Sequence, residues 1–273
     1  VKHVWDGFIE GEHHQLFAEK LERVAQGKCK RLIVNMPPRH TKSEFASVFF
    51  PSWMMGLNPD MKIMQTTHTA ELSARFGRKV RNLMDTDEYK QIFDKVSLSA
   101  DSKSAGRWET NKGGEYFAAG VGGAITGRGA DLLIIDDPHS EQDALSPNAL
   151  ESAYEWYTSG PRQRLQPGGI IVIVMTRWST LDLTEKLIKR MSEEHADQWE
   201  ILELPAVMED NTPLWPGYWK IEELESVKAS LPVAKWNAQY MQNPTSEEGA
   251  LIKRDWWQMW EQEDPPPTSY ILQ

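Results

Sequence analysis

The segment Leu132-Leu133-Ile134-Ile135-Asp136-Asp137 constrains this chain more than any other. Four apolar residues without alternation describe a strand buried on both faces, as in a parallel sheet covered by helices. Two carboxylates follow directly. An unpaired carboxylate in an apolar interior is costly, so a buried strand that ends in two charges has few purely structural explanations. Ile170–Thr176 is a second run of the same kind and leads into Arg177-Trp178. Arg31-Leu32-Ile33-Val34-Asn35 and Lys62-Ile63-Met64-Gln65-Thr66-Thr67 read as two more strands, with short ones over Tyr116–Ala119 and Trp199–Leu204. Between them apolar residues recur at helical spacing. Leu16, Phe17, Leu21 and Val24 mark a helix over Glu12–Gln26, and Leu72, Phe76, Val80 and Leu83 mark another over Ala70–Met84. Pro147–Gly160 and Leu181–Ser192 are further helical patterns. Strands alternating with helices argue for a mainly parallel α/β sheet.

Charge and cysteine content narrow the function classes. Thirty basic and forty acidic residues give a net charge of −10, whereas nucleic-acid binders usually carry a basic excess. Any polyanion contact is therefore local. Arg75-Phe76-Gly77-Arg78-Lys79-Val80-Arg81 holds four positive charges in seven residues, and is either such a patch or a solvated helix face. Residues 182–227 hold twelve acidic residues against four basic. The single Cys29 excludes an intrachain disulfide framework and multi-cysteine metal sites. No apolar run approaches the ~20 residues that cross a bilayer, and Val1–Asp6 has no signal-peptide core. These features imply a soluble protein of a reducing compartment.

Composition changes after Pro205. Seven of the twelve Trp residues lie from Trp199 onward, and Ile221–Leu231 and Val233–Met241 read as helices outside the alternation. The expected organisation is a core over 1–205, a small helical appendage over 206–243, and a last segment over 244–273. In that segment Asp264-Pro265-Pro266-Pro267-Thr268 is a stiff linker. Ser269-Tyr270-Ile271-Leu272-Gln273 reads as a new strand cut short, so the chain is expected to be a fragment of a longer protein.

The strand Arg31–Asn35 runs into Met36-Pro37-Pro38-Arg39-His40-Thr41-Lys42-Ser43-Glu44, where a helix begins. Strand, tight loop, Lys-Ser and helix is the layout of a phosphate-binding P-loop. Pro38 to Glu44 would form the nucleotide-binding loop, in which the backbone N–H groups of Arg39, His40, Thr41 and the residues after them would hold phosphate oxygens. Lys42 would neutralise the β- and γ-phosphates of ATP, and the Ser43 hydroxyl would ligate Mg²⁺. The usual pattern puts Gly where this chain has Met36 and Thr41. Thr disfavours positive φ, so a somewhat different loop backbone is expected. The carboxylate-tipped strand supplies the second element, a Walker B pattern with Asp136 as metal partner and Asp137 as base, Glu141 being the alternative base. Ninety-four positions separate Lys42 from Asp136, leaving room for an intervening strand that Lys62–Thr67 can supply. Thr176, ending the next apolar strand, suits a polar sensor of the γ-phosphate; its other reading, a helix cap near Leu181, fits Ser179 better. Arg177 is either a sensor or a structural ion-pair partner.

With these elements in this order, the chain resembles the ATPase domain of a tailed-bacteriophage large terminase subunit, a DNA-packaging motor. The resemblance is carried by Arg31–Glu44, Phe50-Pro51-Ser52-Trp53, Gly123-Ala124-Ile125-Thr126-Gly127-Arg128-Gly129-Ala130-Asp131, Asp136-Asp137-Pro138 and Met175-Thr176-Arg177-Trp178. Trp236-Asn237-Ala238-Gln239-Tyr240 and Asn243-Pro244 resemble the family's hinge region. The resemblance implies an α/β P-loop NTPase of the additional-strand type, with a mainly parallel sheet flanked by helices and a small C-terminal helical subdomain. It implies ATP and Mg²⁺ as cofactors, and double-stranded DNA, a portal protein and a small terminase subunit as partners. It also implies a homo-oligomeric ring, usually a pentamer, in the host cytoplasm and transiently docked on the procapsid. The isolated fragment is expected to be a monomer without a membrane contact. The family's second domain is an RNase H-like nuclease, whose first strand Tyr270–Gln273 resembles, so this fragment is expected to hydrolyse ATP without cutting DNA.

Hydrolysis leaves charge on the γ-phosphate oxygens, and an arginine finger can stabilise it. Arg39 lies in the phosphate loop and would act in cis; Arg128, between Gly127 and Gly129, would reach a neighbouring subunit or else pair with Asp131. His14-Gln15 is the candidate adenine contact because a Gln amide matches the adenine edge, the other reading being a helix-surface Gln. The seven histidines show no metal-ligand spacing, and His13 and His14 lie too close for one helix face. The rivals are a helicase-like or repair DNA translocase, which needs paired motor domains, and a nucleotide-binding assembly protein with an inactive phosphate loop.

Overall fold

Side chains alternate across a strand, and here the alternation sorts the core into two layers. The structure is a computed structural model and describes residues 1–100, 104–125 and 127–245. The linker and the cut strand expected beyond residue 245 lie outside the described residues. Seven strands, β1 (Arg31–Asn35), β2 (Lys62–Thr67), β3 (Arg107–Glu109), β4 (Glu115–Gly120), β5 (Ala130–Asp136), β6 (Leu165–Met175) and β7 (Glu200–Glu203), form one sheet in the order β3-β4-β2-β5-β6-β1-β7. All neighbours pair in parallel except β3 and β4. The helices are α1 (Glu12–Ala25), α2 (Lys42–Glu44), α3 (Phe50–Leu57), α4 (Ala70–Met84), α5 (Asp87–Ile92), α6 (Pro147–Ser159), α7 (Leu183–Arg190), α8 (Ile221–Ser230) and α9 (Val233–Gln239).

Leu32, Val34, Leu132, Ile134, Val172 and Val174 face one side and pack with α1, α3, α4 and α5. Their neighbours Ile33, Leu133, Ile135, Ile171, Ile173 and Met175 face the other and pack with α6 and α7. Both faces are therefore dry, as the unbroken apolar runs require. The strand inserted between β1 and β5 is β6, and β2 lies on the far side of β5. Lys62–Thr67 thus intervenes in the chain but not in the sheet. The small helix α5, capped by Thr86, and the edge strand β3 carry no long periodic pattern. Trp108 of β3 is held by stacking on Tyr116 at 4.8 Å and by donating from Nε1 to the Gly77 carbonyl at 3.0 Å. α7 starts two residues later than its pattern suggests, because Asp182 and not Ser179 accepts from the Glu185 N–H.

α8 and α9 pack around Ala206, Leu224 and Trp236, with Tyr240 stacked on Trp236. The segment before them docks on the core through aromatic rings. Trp215 meets His13 and His14 of α1 at 5.4 and 4.9 Å, and Trp219 stacks on His40 at 6.0 Å. His13 and His14 are consecutive on α1, yet both are buried with their rings 3.8 Å apart. Burial holds all three imidazoles neutral, with the His13 pKa lowered to about 3 and those of His14 and His40 to about 4. A histidine depressed below its unfolded value near 6.5 binds its proton more readily in the unfolded chain. Its contribution is complete above pH ~6.5 and is lost as pH falls towards 4 and below. Asp136 is shifted upward by burial and opposes this trend with one proton of the other sign. The expected outcome is a stability that falls with acid between about pH 6.5 and 4. In His13→Phe the slope of unfolding free energy against pH should shrink by close to one proton, about 1.4 kcal/mol per pH unit. Urea titrations from pH 4.5 to 6.5 measure it, and an unchanged slope refutes the assignment.

Candidate active site

β1 delivers the loop 36–41 at its C-terminal end, and α2 begins at Lys42. The loop backbone turns left-handed twice, at Arg39 (φ 63°) and Thr41 (φ 67°). The sequence led us to expect a different backbone because threonine resists that conformation; instead Thr41 adopts it. Hydrogen bonds hold it there. The Gly11 N–H donates to His14 Nδ1 at 2.8 Å, which leaves Nε2 as the protonated nitrogen. Nε2 then donates to Thr41 Oγ1 at 2.7 Å, and Thr41 Oγ1 donates to the His40 carbonyl at 2.5 Å. On the other side of the loop His40 Nδ1 donates to the Pro38 carbonyl at 2.8 Å.

Lys42 is 7% exposed, and its Nζ pairs with Asp137 Oδ2 at 2.9 Å. Asp137 also sits at positive φ, 42°, where β5 ends. Its Oδ1 accepts the Thr176 N–H at 2.8 Å, and the Thr176 hydroxyl donates to the Met36 carbonyl at 3.2 Å. Asp136 is 1% exposed. Its Oδ1 accepts from Ser43 Oγ at 3.0 Å and its Oδ2 from Ser47 Oγ at 2.7 Å. Burial, then the neighbouring Asp137 charge, push its pKa above the usual carboxylate range, against Lys42 and the two hydroxyls. A hard divalent cation would favour the ionised form. The Ser43 hydroxyl beside a carboxylate oxygen is the sparse oxygen donor set that Mg²⁺ uses when substrate phosphates and water complete its shell. Among the described residues no group of three or more His, Cys, Asp or Glu could hold a metal on its own.

The structure brings Thr41, Lys42, Ser43, Asp136, Asp137 and Thr176 together. Other residues singled out in the sequence stand elsewhere. Arg39 is exposed on the loop, and Glu44 pairs with Lys79 of α4. Gln15 is exposed on α1 and lines an apolar groove of about 660 Å³ with Phe45, Phe49 and Trp53; its neighbour His14 is the residue that touches the phosphate loop. Glu141 pairs with Lys235 of α9 at 3.1 Å. Arg177 is buried among Asp182, Glu185 and Glu203, which makes it a structural ion-pair partner. Arg128 pairs with Glu115, not with Asp131, and lies 4.3 Å over the Phe117 ring. Asp131 instead accepts the Lys62 N–H.

Solved structures place this architecture. The chain is similar to a mutant of the large-terminase ATPase domain of Thermus phage P74-26, with TM-score 0.51 and 13% sequence identity over 82% of this chain and 93% of that one. It is also similar to the large terminase of the thermophilic bacteriophage D6E in complex with ADP, with TM-score 0.51 and 12% identity. That match covers 82% of this chain and 52% of the other, so the chain spans about half the D6E protein. The fold is that of a large-terminase ATPase domain. No family model matches the sequence, and no curated protein matches it.

Against that fold, the residues missed in the sequence are Ser47 and Gln65, while His14, singled out with Gln15 for an adenine contact, instead bonds Thr41. Ser47 lies four positions after Ser43, so helical spacing alone puts both hydroxyls on one face. Gln65 is a polar residue inside a buried strand, which demands a partner. The contact of His14 with Thr41 had no such signal, since the two are twenty-seven positions apart.

A non-glycine residue in the left-handed region costs about 1–2 kcal/mol. Thr41→Ala should keep that cost and lose both hydroxyl hydrogen bonds, destabilising the chain by about 1–3 kcal/mol. Thr41→Gly should lose the bonds but relieve the backbone, and so fall clearly short of the alanine variant's loss. Denaturant unfolding of the two variants checks the order; the reverse order contradicts the conformation described here.

Proposed function

We propose that this chain hydrolyses ATP to drive double-stranded DNA into a viral procapsid, as the ATPase part of a phage large terminase. One observation carries the reading: Lys42, Ser43, Asp136, Asp137 and Thr176 converge at the C-terminal ends of β1, β5 and β6. In open α/β sheets that edge is where ligands bind. The Asp137 carboxylate now occupies the Lys42 ammonium, where an incoming triphosphate would offer its β- and γ-oxygens. Substrate binding would draw Lys42 onto the phosphates and free Asp137 to take a proton from water. That water oxygen bonds to the γ-phosphorus as the bond to the β–γ bridging oxygen breaks and ADP leaves. Ser43 and Asp136 would hold Mg²⁺, whose charge favours the phosphate oxygens of the transition state. Thr176 would orient Asp137 through its N–H. Gln15 is assigned the adenine contact only if the base reaches the α1 groove.

The partners proposed are double-stranded DNA, a portal protein, a small terminase subunit and further copies of this chain in a ring, in the host cytoplasm at the procapsid. No helix among the described residues is long and apolar enough to cross a membrane. DNA contact would rest on a local patch: Arg75 and Arg78 are exposed on α4, whereas Lys79 is taken by Glu44.

Lys42→Ala should abolish phosphate release and weaken fluorescent-nucleotide binding while leaving the circular dichroism spectrum unchanged. Asp137→Asn should retain binding and lose about 10²–10⁴-fold in turnover, the scale of a general base. Normal hydrolysis by Lys42→Ala would overturn the site assignment, and a wild-type chain that binds nucleotide without turnover would establish the inactive assembly protein instead.

Arg128 would act between subunits. It precedes β5, whereas Asp136 ends it, and a strand rises ~3.3 Å per residue, so roughly 20 Å separates the two ends. Arg128 cannot serve its own phosphate loop across that distance. Mixing inactive Lys42→Ala with Arg128→Ala under ring-forming conditions should restore part of the activity, because some interfaces pair an intact loop with an intact arginine. Full activity of Arg128→Ala alone, or no recovery in a proven mixed ring, assigns the charge to Arg39.

A further inference from the structure

A buried hydrogen-bond chain runs from β2 through the turn after α2 to Asp136. Gln65 on β2 and Ser47 in the π-helical turn Phe45–Phe49 are both 0% exposed. Gln65 Nε2 donates to Ser47 Oγ at 3.0 Å, and Ser47 Oγ donates to Asp136 Oδ2 at 2.7 Å. A serine hydroxyl has a single proton and accepts through its lone pairs. An N–H from Gln65 on the acceptor side therefore turns that proton towards Asp136. Asp136 Oδ2 is thereby engaged, and Oδ1 is left on the side of Ser43. A π turn is wider than an α turn and recurs at functional sites; here it continues the helix that begins at Lys42 and sets Ser47 against the strand end. Gln65 belongs to a strand paired directly with β5, in register Gln65 to Ile134, so the relay is anchored in the sheet and not in a loop.

We propose that Ser47 and Gln65 are positioning residues that fix which oxygen of Asp136 faces the Mg²⁺-nucleotide. The inference rests on the nucleotide-site reading above. A carboxylate free to rotate about its terminal bond presents either oxygen; one tethered through Oδ2 presents Oδ1 beside the Ser43 hydroxyl. Outer-shell partners of this kind are worth 10- to 100-fold in metal affinity. Gln65 acts only through Ser47, so its effect must disappear when Ser47 is gone.

The test measures binding of a fluorescent ATP analogue to the whole chain as Mg²⁺ is titrated, beside turnover and melting temperature. Ser47→Ala should raise the Mg²⁺ concentration for half-maximal tightening by about 10-fold or more, with metal-free nucleotide affinity unchanged within about twofold. Ser47→Thr, which keeps the hydroxyl, should restore it. Gln65→Ala should shift the Mg²⁺ midpoint by a smaller factor, and Ser47→Ala with Gln65→Ala should match Ser47→Ala alone, the non-additivity of a relay. A Ser47→Ala chain that loses only melting temperature, or a double variant whose shifts multiply, overturns the proposal. Lys42→Ala separates the two levels. If it lowers nucleotide affinity with and without Mg²⁺ while Ser47→Ala shifts nothing, the nucleotide site stands and the relay falls. If the wild-type chain binds no nucleotide, both fall together.

Discussion

Two adjacent carboxylates at the end of a strand with no water on either face are a charge problem, and this end of the molecule is arranged around it. Asp136 and Asp137 repel each other and Asp136 is buried, so both cannot ionise there without compensation. Lys42 answers the charge of Asp137 through a 2.9 Å ion pair, while Ser43 and Ser47 each hydrogen-bond one oxygen of Asp136. A mostly buried lysine needs its partner as much as the carboxylate does. The phosphate loop and the β5 terminus are consequently set against each other before any substrate arrives. Under the proposed function the same pairing would make the site responsive, because a polyphosphate offers Lys42 more negative charge than one carboxylate does.

The loop keeps the left-handed turn of a glycine-containing phosphate loop with a threonine in its place. Side-chain hydrogen bonding supplies what the missing glycine would have supplied through freedom of φ. That exchange has a consequence. A glycine position is conformationally independent of its surroundings, but Thr41 is tied to His14 of α1, and His40 is tied by stacking to Trp219. The loop is therefore mechanically continuous with α1 and with the segment that leads into α8 and α9. Backbone strain at Arg39, Thr41 and Asp137 is concentrated at the site, where an over-determined surround is able to hold it.

Legibility in the sequence followed the range of the interaction. β1, β2 and α4 fall on the residues that apolar period alone indicates, and β5 and β6 lie within two to five residues of their runs, because period and burial are local signals. The short edge strand Arg107–Glu109 escaped, since three residues carry no period and its pairing depends on Tyr116 and Gly77. Lys42, Ser43, Asp136 and Asp137 were legible because each stands at the end of a strand or the start of a helix, where chemistry has few alternatives. The environment of Thr41 was misjudged: propensity argued against its backbone, and the histidine that overrides propensity lies on another helix. Arg128 and Glu141 were placed by spacing, but their partners Glu115 and Lys235 belong to other elements that no spacing reveals.

Sheet order explains why the site has the width it has. Neighbouring strands lie ~4.8 Å apart, so a loop on β1 and a carboxylate on an adjacent strand would nearly touch. Inserting β6 doubles the gap to roughly 9–10 Å. Oxygen contacts at about 3 Å on each side would then leave space of similar width for the phosphoryl group of the proposed substrate. The floor of that gap is the end of β6, where Thr176 directs its N–H at Asp137 and its hydroxyl at Met36. Lys42 crosses the gap to Asp137, and it is the length of the lysine side chain that permits this. A shorter amine at position 42 would reach both the carboxylate and the phosphates of the proposed substrate only by moving the loop itself. Under the proposed function lysine would make the choice by rotating its own stem, so the strained loop could remain still while its charge changed partner.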